Sequence, residues 1–154
     1  MAILDRTSFP GPNRINHVAM SVPADLLDEQ GRADLVEFFG EVFGWHELPT
    51  MTVDRKRLIF SLFSYDRFVF LIADDPPMAC PPGLPGDHFG VQVNHLDEFE
   101  TMVARVEAFR DRDDRVEIHP YEIEDHGMLK LHNVYVRFLL PMSIEVQYFE
   151  LLDA

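Results

Sequence analysis

The chain has 154 residues, 47% hydrophobic and 26% charged, with 13 basic and 27 acidic side chains and a formal net charge of −14. Size scaling buries about 69% of the surface of such a chain, enough for a compact core without disulfide or metal staples. The composition excludes a disordered chain and, with Cys80 the single cysteine, a disulfide scaffold. The acidic field argues against nucleic acid and anionic membrane as partners. No apolar run reaches the ~20 residues of a spanning helix, and residues 1–13 lack a basic segment followed by a long apolar stretch, so a cytoplasmic protein is expected.

Residues 1–13 read as a short tail ended by Pro10, Gly11 and Pro12. Residues 15–22 alternate as a strand, with Ile15, His17, Ala19 and Ser21 on one face and Asn16, Val18, Met20 and Val22 on the other. Residues 23–32 are open between a helical turn and a loop. Residues 34–45 carry Leu35, Phe38, Phe39, Val42 and Phe43 at helical spacing. Strand-like runs follow at 46–53, 57–64 and 67–73, and the Pro-rich stretch 75–86 reads as a linker.

The same order then repeats. Residues 87–93 form a strand with His88, Gly90 and Gln92 on one face and Phe89, Val91 and Val93 on the other. Residues 96–109 form a helix with Leu96, Phe99, Met102, Val103, Val106 and Phe109 inward and Asn94 as the expected N-cap. Strands are expected at 116–123, 129–139 and 143–149. The predicted fold is therefore α+β, two βαβββ modules at 14–74 and 87–151 in one compact domain. Each helix covers the apolar face of its strand and leaves the histidine face free, and two such faces suggest sheets closing around a cavity.

Paired βαβββ units, the Asn16-His17-Val18 opening, Gly44-Trp45 after the first helix and the Ile144-Glu145-Val146 close resemble the vicinal oxygen chelate superfamily. That superfamily includes glyoxalase I, bleomycin-resistance proteins and extradiol dioxygenases. The resemblance spans residues 15–151. It implies a metal held by His17, His88 and Glu145, which stand at superfamily ligand positions. Two imidazoles and a carboxylate leave coordination positions open and suit Fe(II), with Mn(II) next. The bland alternative is that both histidines are satisfied core or rim residues and Glu145 pairs with an arginine. The last strand of the first half offers no carboxylate, histidine or glutamine near Val69 or Leu71, which disfavours a four-ligand glyoxalase site.

A finer resemblance is to the extradiol dioxygenase signature. His126, Tyr135 nine residues later and Glu145 ten residues after that follow its spacing, whereas Phe138-Leu139 replaces its usual polar-residue–Pro pair. It implies that His126 and Tyr135 assist catalysis on a small, catechol-like substrate. Of the two neighbouring candidates on that strand, Tyr135 and His132 face opposite ways, and Tyr135 is placed in the cavity. His46, His95 and His119 are expected at the surface or rim. The expected function is an extradiol dioxygenase-like metalloenzyme. The alternatives are a metal-free sequestering protein of the bleomycin-resistance type, or a lyase or isomerase of the same superfamily. By analogy with the family the partner is a second copy of the chain, in a homodimer.

Overall fold

A computed structural model describes Pro12 and residues 14–152; apart from Pro12, the tail expected at 1–13 lies outside these residues. Strands β1 (His17–Val22), β2 (His46–Glu47), β3 (Arg57–Ser64) and β4 (Arg67–Ala73) form one sheet in the order β1-β4-β3-β2. Strands β5 (His88–Gln92), β6 (Val116–Asp125), β7 (Leu129–Phe138) and β8 (Ser143–Leu151) form the other, in the order β5-β8-β7-β6. In each sheet the first strand pairs parallel with the last, and the remaining pairs are antiparallel. The chain is α+β and is built from two βαβββ modules.

Helix α1 (Glu29–Phe38) starts where Asp28 accepts the Gly31 N–H at 2.9 Å, which satisfies one free donor of the first turn. It runs into a widened π turn, Phe39–Phe43, and stops at Gly44, whose φ of +68° a glycine adopts at little cost. The segment left open at 23–32 is a 3-10 turn, Ala24–Leu27, followed by the start of α1. Helix α2 (Leu96–Arg110) is capped differently from the expectation. Asn94 is not the cap; the Glu98 side chain reaches back to accept the N–H groups of Asn94 and His95, at 2.9 and 3.2 Å. The strand expected at 46–53 shrinks to His46–Glu47, because Pro49 has no N–H for a ladder and the chain turns through Met51 and Thr52 back onto Leu48.

The helix-facing side chains of both sheets and the apolar faces of both helices meet in a single core. Phe38 of α1 is fully buried, stacks on Phe138 of β7 at 4.4 Å and meets Phe109 of α2 edge-on at 5.0 Å. These rings join the modules and leave the opposite face of each sheet free for a site.

Candidate functional site

The strand pairings fix which side chains share the free face of the second sheet. Gly90 of β5 pairs with Glu145 of β8, Glu145 with Tyr135 of β7, and Tyr135 with His119 of β6. The next row is Gln92, Gln147, Asn133 and Glu122, and His88 pairs with Ser143 on the other side. Paired residues point to one face, so His88, Glu145, Tyr135 and His119 converge.

Glu145 is 8% exposed, and burying a carboxylate is costly unless it is paired. Its ion-pair partner is His88, whose Nε2 lies 3.6 Å from Oε2; no arginine takes that place among the described residues. Tyr135 pairs with Glu145 in the strand register and sets its ring edge-on to His88, with centroids 5.1 Å apart. Burial and the carboxylates of Glu145, Glu124 and Glu122 push the Tyr135 hydroxyl up to about 12, so it remains a proton donor at neutral pH. Gly90, opposite Glu145, has no side chain, and the Gln147 amide lies over it, 3.5 Å from where a Cβ would stand.

His17 lies on β1 at the place equivalent to His88. With His88 it lines a cavity of about 640 Å³, whose other walls include Trp45, Phe63 and Phe68; Glu145, Tyr135 and His119 are not among those walls. Its ring stacks on Phe68 at 4.9 Å and its Nδ1 is 2.8 Å from Asn16 Oδ1. His88 and Glu145 thus form a two-donor pair of imidazole nitrogen and carboxylate oxygen, a donor set that suits Fe(II) or Mn(II). His17 faces the same cavity, yet among the described residues no group of three His, Cys, Asp or Glu side chains is disposed to hold a metal ion.

His126 is not brought to this pair. It sits in the β6–β7 turn, about half exposed, with Nε2 3.4 Å from Glu124. The six residues from Leu129 to Tyr135 carry the chain roughly 20 Å along β7 at ~3.3 Å per residue. His132 faces away from Tyr135, as expected. It is buried on the helix side between the Tyr121 hydroxyl and Glu150, which it meets at 2.8 Å.

His46 and His95 are exposed, and His119 is half-buried beside the site. Its ring lies edge-on to Tyr135 with centroids 5.9 Å apart, and its Nδ1 is buried without a partner among the described residues. Counting outward from the Asp125-His126-Gly127 turn would have paired Pro120 with Tyr135 and His119 with Val136; the bulge between His119 and Glu122 shifts the register by one and brings His119 opposite Tyr135. The sequence reading also chose the wrong face of β4. Val69 and Leu71 are buried on the helix side, and the residues on the free face are Phe68, Phe70 and Ile72. None of them is a carboxylate, histidine or glutamine.

No protein-family model matches the chain, and no curated protein matches it. Solved structures do. A glyoxalase/bleomycin resistance protein/dioxygenase from Alicyclobacillus acidocaldarius superposes with a TM-score of 0.61 at 13% identity, over 90% of this chain and 93% of that one. The fosfomycin resistance protein FosX from Listeria monocytogenes, complexed with Mn(II) and 1S,2S-dihydroxypropylphosphonic acid, gives 0.59 at 13% identity over 88% and 90%. FosX from Mesorhizobium loti gives 0.56 at 12% identity over 89% and 92%. The chain has the fold of the vicinal oxygen chelate superfamily.

Proposed function

We propose that this chain, on the fold of the vicinal oxygen chelate superfamily, is a metal-dependent enzyme that chelates neighbouring oxygens of a small, catechol-like substrate, in the manner of extradiol dioxygenases. The observation that carries the reading is the buried Glu145 carboxylate facing His88 at 3.6 Å, with no arginine or lysine among the described residues to neutralise it. A divalent cation held by His88 and Glu145, Fe(II) first and Mn(II) next, is the charge such a carboxylate calls for, and His17 would join as third ligand by leaving its stack on Phe68. When bound, the metal supplies positive charge and open positions for two substrate oxygens.

The chain's own residues orient and exclude. Tyr135 stands beside the Glu145 carboxylate and keeps its proton at neutral pH, so it can donate to a substrate oxygen. His119, beside Tyr135 and with an unpartnered Nδ1, offers a further hydrogen-bonding group. Trp45, Phe68 and Phe89 line the cavity and keep water from the ring of a bound substrate. His126 takes no part in this arrangement.

The working form proposed is a cytoplasmic homodimer. No helix among the described residues is long and apolar enough to cross a membrane. Met128 and Leu151, each 77% exposed and adjoining at one end of the second sheet, form apolar surface that a second copy would cover.

The test is the metal content of protein purified anaerobically without chelator, beside His88→Ala. Near-stoichiometric iron or manganese, lost in the variant, is the expected result, followed by oxygen uptake with catechols. Nickel or zinc would shift the reaction to a lyase or isomerase. A metal-free protein that takes up none on reconstitution would leave the second reading, a sequestering protein. That reading is favoured by the lack of a three-donor cluster among the described residues.

A further inference from the structure

Phe63 is held in a backbone conformation that a phenylalanine rarely adopts. Its φ is +61°, in the left-handed region, where a bulky side chain crowds its own backbone. The distortion is built in. The β3–β4 register shifts between Ser61 and Ser64, and the Ser61 hydroxyl braces the bulge by donating to the Ser64 carbonyl at 3.0 Å. Ser64 is tied in turn to Asp66, and Asp66 to Arg14.

The ring gains little burial in return, since Phe63 is 77% exposed. It rests over Gly44, where a Cβ would come within 3.2 Å of the ring. Gly44 is thus a glycine twice over, for its own left-handed φ and for the approach of this ring. Two unfavourable features, a strained backbone and an exposed aromatic ring, coincide at the rim of the cavity that His17 and His88 line. Such strain concentrates at ligand-binding sites, where the surrounding structure maintains it. The cavity's nearby walls are Trp45, Phe68 and Phe89, and its polar end is the two histidines.

We propose that Phe63 is a specificity-determining residue. Its strained backbone presents the ring as a platform for a flat apolar ring of the substrate, whose oxygens point toward His17 and His88. The platform does not depend on the metal; only the direction of the oxygens rests on the function proposed above.

The test is calorimetric titration of the metal-free protein with 2-naphthol, a flat ring without neighbouring oxygens, in wild type, Phe63→Gly and Phe63→Trp. Emission of Trp45, the single tryptophan, reports whether the cavity is filled. Phe63→Gly should weaken 2-naphthol binding about tenfold, the scale of a lost aromatic contact together with its buried area. The same variant should melt at an unchanged or higher temperature, because glycine accepts the left-handed φ. Phe63→Trp should retain binding.

Three results would overturn the proposal. One is no binding of 2-naphthol to wild type. Another is equal binding to Phe63→Gly. The third is a lower melting temperature in Phe63→Gly, which would make the ring structural. Dissociation of a dimer in Phe63→Gly with binding intact would give the ring to a subunit interface instead. A parallel titration of Mn(II)-loaded wild type with 2,3-dihydroxynaphthalene separates the two readings. If it binds no better than 2-naphthol, the metal-chelation reading fails while the platform stands.

Discussion

The two modules share a strand plan but not a chemistry. In the first, His17 pairs with Phe68 and Ala19 with Phe70; in the second, His88 pairs with Ser143 and Gly90 with Glu145. Phe70 therefore occupies the place in β4 that Glu145 occupies in β8. The free face of the first sheet carries Phe68, Phe70 and Ile72, whereas that of the second carries Glu145, Tyr135, His119, Asn133 and Gln147. The histidine common to both halves stacks on a phenylalanine in one and meets a carboxylate in the other. A repeated backbone fixes where side chains stand, and the residue at one register position decides whether that place is an apolar wall or a polar site.

The comparison is broken most severely at the joint between the modules. Phe38→Ala removes the ring that spans Phe138 and Phe109, and truncation of a fully buried phenylalanine costs about 3–5 kcal/mol. Urea denaturation should show that loss as a lower midpoint in one transition common to both halves; two separate transitions would show that the modules are independent.

The contrast of Glu145 with Phe70 is sharpened by a matched pair of variants. Glu145→Gln should weaken Mn(II) binding by about a hundredfold or more, because a ligand matters at least as much as the groups that orient it. Phe70→Leu should leave Mn(II) binding unchanged. Equal effects of the two in a metal titration would erase the asymmetry.

Tyr135→Phe should weaken Mn(II) binding by about tenfold through loss of the hydroxyl beside Glu145. It also has a pH signature. The Tyr135 hydroxyl is raised in the folded protein to about 12, above its unfolded value near ~10. Between those values the folded state keeps a proton that the unfolded state has lost. The stabilisation is complete below about pH 10 and lost as pH rises toward 12. Denaturation midpoints of wild type should therefore fall more steeply than those of Tyr135→Phe across that window. The smallest effect is expected at His126→Ala, an exposed turn residue whose loss should shift stability by less than about 0.5 kcal/mol. Mn(II) binding should not change; a large loss would bring His126 back into the site.

Periodicity located nearly every element, because each buries one face against a common core and so writes a period of two or of 3.6 into the chain. The spans 57–64 and 67–73 agree with β3 and β4 residue for residue. The polar face of β5 and the Ser143-Glu145-Gln147 face of β8 were legible in the same way. That His119 stands beside Tyr135 was not legible, because one strand's alternation names two faces without saying which is inside; that depends on the hairpin register, which shifts between His119 and Glu122. His126 matched a spacing pattern along the chain, but an extended strand turns sequence distance into real distance and carries it away from Glu145.

From the sequence alone came the duplicated βαβββ plan and the acidic charge, which follow from local pattern and composition, and the candidates His17, His88 and Glu145, which the resemblance to the vicinal oxygen chelate superfamily implied. The tertiary structure alone decided that His88 and Glu145 face each other while His17 stacks on Phe68, that His119 joins the site, and that Phe63 turns through a left-handed φ over Gly44. Those outcomes depend on strand register, a bulge and the approach of segments distant in the chain, and no local periodicity encodes them.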